Sequence, residues 1–224
     1  MKSIIGIDAG TTSIKGVILN SNGDLVANAS HEYQLETGPD EICELDPEVY
    51  WTVTCNLIRT LLQKSGTDPS NISGIAFSSQ GETIITVDPQ GKPLRKAIIW
   101  LDNRSIEQAT RIRDRFGEQR IMNITGQPEI LPIWPATRIL WIKENEPDIF
   151  IKAGKYLLVE DYLLFRMTGR YCTEHSLVSS TPYFDITQKK WWDEMLDFLG
   201  ITVQQLPELY SSGIPVGNLT PEAA

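Results

Sequence analysis

The sequence predicts a mixed α/β fold, and three observations carry that expectation. Short apolar runs rich in β-branched residues open the chain, separated by turn residues. Apolar residues at helical spacing follow after Asp46. Strand and helix patterns then mix through the rest of the 224 residues, with no internal repeat, low-complexity stretch or charge block. Composition agrees: 41% hydrophobic and 22% charged residues are ordinary for a folded chain and exclude a collagen, a coiled coil and a disordered tail.

Ser3–Asp8 reads as a strand on Ile4, Ile5 and Ile7, Gly10–Ser13 as a tight turn, and Ile14–Leu19 as a second strand. Asn22-Gly23 between two apolar runs is a hairpin signal, so Leu25–Tyr33 becomes a third strand and the opening an antiparallel meander. Asp46-Pro47 starts a helix, with Asp as N-cap and Pro at the first helical position. Val49, Val53, Leu57, Leu61 and Leu62 give it an apolar face, and Gly66 closes it. Ile72–Ser78, Thr83–Val87 and Ala97–Trp100 read as strands, with a turn at Asp88-Pro89-Gln90-Gly91. Arg104–Phe116, Ala136–Asn145, Val159–Met167 and Trp191–Leu199 read as helices, and Gln127–Pro135, with three prolines, as a loop. The Gly/Pro-rich stretch Ser211–Ala224 reads as a linker.

The net charge is −9, from 20 basic and 29 acidic residues, which argues against a surface built to grip nucleic acid. It leaves room for a bound nucleotide, because backbone N–H groups and a divalent cation can hold phosphates. Cys43, Cys55 and Cys172 form neither a disulfide framework nor a zinc pattern. The opening apolar run is shorter than the core of a signal peptide, and no run approaches the ~20 residues of a membrane span, so a cytoplasmic location without membrane contact is expected. His31 and His175 lie in no hydrolase or metalloprotease motif.

The chemistry concentrates in Gly6–Gly16, GIDAGTTSIKG. An apolar strand delivers Asp8 to its end, Gly10 permits a tight turn, and three hydroxyl residues follow. Backbone N–H groups and the hydroxyls of Thr11, Thr12 and Ser13 make an anion cradle with Gly10. Lys15 adds charge neutralisation, and Asp8 is placed to hold a hydrated Mg²⁺. Neither a GxxxxGK[ST] nor a helix-opening GxGxxG is present. The bland alternative is a β-hairpin corner that is rich in Gly and Thr as corners are.

IGIDAGTTSIKGVIL resembles the first phosphate motif of the actin, sugar-kinase and heat-shock-chaperone ATPases. GIAFSSQGETIITVD (Gly74–Asp88) and AIIWLDNR (Ala97–Arg104) resemble the FGGY carbohydrate kinases, as do TRILWIKENEP, VEDYLLFRMTGRYCTEHS and FDITQKKWWDEML further on. The ordered set covers essentially the whole chain. The resemblance implies an actin-like, ribonuclease H-like ATPase domain: a mixed sheet with an antiparallel opening meander and helices on both faces. It implies an N-terminal sugar-binding lobe over 1–212 and the start of an interdomain linker over 213–224.

At the sugar end, Glu82 follows a strand, where α/β ligands gather, and a carboxylate can accept bonds from neighbouring hydroxyls. Gln80, Gly81, Glu82, Asp102 and Trp134 are the candidate substrate residues. Asp102 and Arg104 either pair with each other or reach substrate. Glycerol kinases resemble Gln-Arg-Glu-Thr here, and Gly81 replaces that Arg, which argues against glycerol. Xylulokinases resemble Gln-Met-His-Gly, and that Met-His pair is absent. Trp134 offers a sugar-stacking face, with a core or lid role as the alternative.

The resemblance implies transfer of the γ-phosphoryl group of ATP, with Mg²⁺, to a sugar hydroxyl, a ketopentose such as xylulose being favoured. A polyol acceptor of the glycerol or erythritol type, a non-catalytic actin- or chaperone-type module, and a regulatory sugar binder are the alternatives. The Asp base of such kinases lies in a G-x-x-D segment expected beyond Ala224, so no residue here is assigned as catalytic and the 224 residues alone are expected to be inactive. The expected partners are the sugar, MgATP, the C-terminal lobe of the same kinase and a second copy in a homodimer.

Overall fold

The apolar opening folds as expected: β1 (Ser3–Ala9), β2 (Ser13–Asn20) and β3 (Leu25–Glu32) pair antiparallel in turn. This is a computed structural model, and it describes residues 2–39 and 41–224. The remaining elements, in chain order, are β4 (Glu36–Thr37), β5 (Cys43–Leu45), α1 (Pro47–Ser65), β6 (Ile72–Ser79), β7 (Ile85–Val87), β8 (Ala97–Ile98), α2 (Ile106–Phe116), α3 (Glu118–Thr125), α4 (Pro135–Asn145) and α5 (Pro147–Lys152). There follow β9 (Lys155–Leu157), α6 (Val159–Thr168), β10 (Cys172–Glu174), α7 (His175–Val178), β11 (Phe184–Asp185), β12 (Lys190–Trp191), α8 (Asp193–Leu199) and β13 (Glu208–Tyr210). They form two compact units, Met1–Leu35 with Asp46–Gln80, and Glu36–Leu45 with Gly81–Ala224.

In the first unit the strand order is β3-β2-β1-β6, with β6 parallel to β1, so the sheet is mixed. Alternation along the strands buries Ile5, Ile7 and Ala9 of β1 and Ile14 and Ile18 of β2. The buried Leu57 and Leu61 of α1 lie against this face at Gly16, where a Cβ would come within 3.0 Å of both side chains. Asp46 caps α1 by accepting from the Glu48 N–H at 3.0 Å, and Gly66 ends it at φ +63°, as the sequence predicts. Of the helices expected on two faces, this unit supplies α1 on one. The opposite face carries the exposed Asp8, Lys15 and Asn28.

The second unit packs short strand pairs and helices around one apolar cluster that includes Ile84, Ile98, Ile112, Phe116, Ile139 and Trp192. Its largest sheet is β4-β5-β8. Four expected elements of this unit are shorter than predicted, among them α2, which starts at Ile106 where the sequence predicts Arg104. The strand over Thr83–Val87 is regular only from Ile85, with Ile84 bridging to Ile98, and the strand from Ala97 ends at Ile98. The last helix starts at Asp193, because Trp191 pairs with Phe184 as part of β12. The segment Ser211–Ala224 is irregular as expected yet tied down: Thr220 N–H donates to the Met167 carbonyl at 2.8 Å and Arg170 to the Val216 carbonyl at 2.6 Å. Among the described residues no helix is long and apolar enough to cross a membrane.

Candidate functional site

The first unit holds Asp8, Gly10, Thr11, Thr12, Ser13, Lys15 and Gln80. Asp8 and Lys15 are register partners across β1 and β2, so their side chains share one face. The turn between them closes through Gly10 N–H to the Ser13 carbonyl at 3.0 Å. A Cβ at Gly10 would sit 3.1 Å from that same oxygen, a tight contact that favours glycine at the bend.

The Gly10 carbonyl accepts from two side chains, the Tyr33 hydroxyl and Gln80 Nε2, the latter at 3.3 Å. Gln80 Nε2 also donates to the Tyr50 hydroxyl at 3.0 Å, and the Tyr33 and Tyr50 rings meet edge to face at 5.5 Å. Tyr33 N–H donates to the Thr12 carbonyl at 3.0 Å. Burial, with the Asp8 charge acting in the same direction, pushes the Tyr33 hydroxyl well above its ordinary range, so it stays a donor. The turn is thus braced from the end of β6 and from beyond β3. Gln80, expected among the substrate residues, has its amide nitrogen committed to this turn.

These residues fit a metal–phosphate group. Among the described residues no cluster of three or more His, Cys, Asp or Glu can hold a metal alone. A single carboxylate suits Mg²⁺, which keeps its waters and takes phosphate oxygens as further ligands.

The second unit holds Gly81, Glu82, Asp102 and Trp134. β6 runs into a tight bend in which Thr83 N–H donates to the Gly81 carbonyl at 2.6 Å. Glu82 takes φ +55°, a left-handed conformation that costs a non-glycine residue about 1–2 kcal/mol. The buried Thr83 anchors the bend, its Oγ1 accepting from Trp100 N–H at 3.2 Å. A Cβ at Gly81 would lie 3.3 Å from Ser180 Oγ.

Asp102 is fully buried, and of the two outcomes the sequence leaves open, pairing with Arg104 is the one present. Its Oδ1 accepts from Arg104 N–H at 3.0 Å and Arg104 Nε at 2.8 Å. Its Oδ2 accepts from Arg104 Nη2 and Cys43 N–H, both at 2.7 Å. Burial would raise this carboxyl, but the Arg104 and Cys43 bonds outweigh it and hold it below the usual range. Four donors thus use both oxygens within the protein. Trp134 is the N-cap of α4, partly buried against the core, and its indole N–H donates to the Glu129 carbonyl at 3.2 Å. Trp134 thus packs partly against the core with its N–H bonded to the main chain.

Four residues with a part in this unit's arrangement were not singled out from the sequence. Glu44 of β5 pairs with Arg95 and Arg104, the latter at 2.8 Å. The same two guanidiniums lie over the Trp141 ring, 5.7 and 4.9 Å from its centre. Arg138, in the first turn of α4, is the largest fully buried side chain among the described residues. Its Nη1 donates to the Glu82 carbonyl at 2.6 Å and its Nη2 to the Asp102 carbonyl at 2.9 Å. The signal for it was an arginine among Ala136, Ile139, Leu140 and Ile142, where a buried charge must find partners.

The family model for the N-terminal domain of the FGGY family of carbohydrate kinases matches residues 3–224. The chain belongs to that family. A xylulose kinase of Bacillus subtilis (strain 168) is 34% identical over 224 residues, covering 100% of this chain and 44% of the relative. The crystal structure of a gluconate kinase from Lactobacillus acidophilus superposes with a TM-score of 0.92 at 31% identity, over 99% of this chain and 44% of that one. A ligand-bound xylulose kinase from the same organism gives 0.92 at 30% identity, over 100% and 45%. The chain thus spans less than half the length of these relatives.

Proposed function

We propose that this chain is the sugar- and phosphate-binding part of an ATP-dependent kinase that phosphorylates a hydroxyl of a ketopentose such as xylulose. What carries the reading is a braced phosphate turn at the end of β1, in a chain matched over its whole length by proteins named for phosphorylating sugars. Thr11, Thr12 and Ser13 offer N–H and hydroxyl donors to phosphate oxygens, Gly10 shapes the turn that presents them, Lys15 adds positive charge, and Asp8 is placed to hold Mg²⁺. The metal, when bound, neutralises charge that develops on the phosphates. Glu82 accepts hydrogen bonds from sugar hydroxyls, with Gly81 leaving room beside it, and Asp102 shapes the site from within. The proton acceptor is assigned outside these 224 residues, so turnover belongs to the longer protein.

An aldonate acceptor is the second reading, favoured by the gluconate kinase likeness. Coupled ADP release by the full-length protein, across xylulose, ribulose, gluconate, erythritol and glycerol, separates the cases. The highest kcat/KM for a ketopentose supports the proposal, and a gluconate optimum supports the second reading. ATP hydrolysis indifferent to every sugar points to an actin- or chaperone-type ATPase-fold module and overturns both.

A further inference from the structure

Arg138 presents an unusual arrangement: a fully buried guanidinium whose hydrogen-bonding partners are two main-chain carbonyls. Its bond to Asp102 is to the main chain, since the Asp102 carboxylate accepts from Arg104 and the Cys43 N–H. Its two terminal nitrogens instead reach the carbonyls of Glu82 and Asp102, in segments separated by β7 and β8, while its Nε has no partner. A planar fork can span two fixed acceptors where a point charge cannot. What it grips is the one residue of the Gly81–Thr83 bend held at positive φ. Such strain persists only where surrounding structure over-determines it, and it concentrates at functional sites.

We propose that Arg138 is a positioning residue of the sugar site, whose guanidinium locks the Glu82 and Asp102 carbonyls and thereby the strained bend that presents the Glu82 carboxylate. The inference rests on the kinase reading above. The protein's hold on Glu82 runs through the main chain, which leaves its carboxylate for a ligand. Burial, opposed in part by the charges of Asp102 and Glu82, leaves the Arg138 pKa at about 9. The group therefore remains a cation at neutral pH and keeps its donors.

The test uses the full-length protein, the sugar with the highest turnover, and the variants Arg138→Lys, which keeps the charge and loses the fork, and Glu82→Gln. The expected result is an Arg138→Lys protein folded by circular dichroism, with sugar KM raised about tenfold or more and the KM for ATP within about twofold of the parent. The double variant is expected to lose little beyond the worse single one, since both act on one contact. A lowered melting temperature with both KM values unchanged makes Arg138 a fold residue only and overturns the inference while the kinase reading stands. If Arg138→Lys does not fold, Arg138→Gln is read in the same way; failure of both to fold also overturns it. Absence of sugar-dependent turnover in the parent protein overturns the kinase reading and this role with it.

Discussion

The Gln80 side chain donates to the main-chain carbonyl of Gly10, 70 residues earlier in the chain, and shares that acceptor with the Tyr33 hydroxyl. The phosphate turn is therefore not a free corner. Its geometry is set by donors from two other segments, so under the proposed function the turn meets a nucleotide already shaped.

Weakening that brace should act on the nucleotide and leave the sugar alone. Gln80→Leu in the full-length protein removes both donors from Gln80 and should raise the KM for ATP by about three- to tenfold, with sugar KM unchanged. Gly10→Ala places a Cβ against the Ser13 carbonyl and should lose more, including thermal stability. Steady-state kinetics with each substrate varied in turn, beside a thermal melt, check both.

Gly81 sets the room next to Glu82. Its missing Cβ would sit 3.3 Å from Ser180 Oγ, a contact that a small side chain survives by a slight shift of the hydroxyl. Gly81→Ala should fold normally. Gly81→Arg, which restores the residue glycerol kinases resemble at this place, should cut kcat/KM for the ketopentose about tenfold or more and improve the relative use of glycerol. The ratio of the two kcat/KM values is the readout.

Asp102 and Arg104 form a buried pair, and removing the carboxylate leaves the Cys43 N–H and part of the Arg104 fork without the acceptor they share, Glu44 alone then facing the guanidinium. Breaking such a pair from one side costs about 3–5 kcal/mol. Asp102→Leu should therefore lower the denaturant midpoint far more than Lys96→Ala, which removes the exposed Lys96–Glu36 pair. Chemical unfolding at neutral pH compares them.

Stability should also depend on pH through the start of α6. Burial pushes the Asp161 carboxyl up to about 7 and, with the Asp161 and Glu174 charges, the Glu160 carboxyl up to about 8. In the unfolded chain such groups titrate near about 4. The folded state thus holds more protons between those values. The stabilisation is full below the unfolded range and is lost as pH rises through 7 and 8. Melting temperature should fall from pH 5 to pH 9, and Glu160→Gln should flatten that fall.

How much of this was legible in the sequence follows from range. The meander, the Asp46 cap and the Gly66 stop are local chemistry, and each is where the residues put it. Asp8, Gly10 and Lys15 were readable because strand, glycine and hydroxyl run are contiguous. Strands of two or three residues, such as β5 and β9, carry no period of their own and exist through pairing with distant partners. Trp191 reads as helical from its neighbours, yet its pairing with Phe184 decides otherwise. Gln80 was grouped with Gly81 and Glu82 by adjacency in the chain, whereas its amide nitrogen belongs to the Gly10 turn. Arg138 is not legible in the sequence, because its environment is made by burial and by two carbonyls, 56 and 36 residues away, that no spacing rule connects.

The most direct measurement is the fate of the phosphoryl group when the full-length protein is given MgATP and a ketopentose. Mass spectrometry of the products should show sugar phosphate and ADP appearing one for one, with no excess inorganic phosphate. Inorganic phosphate released without sugar phosphate, or no sugar-dependent product at all, would contradict the account.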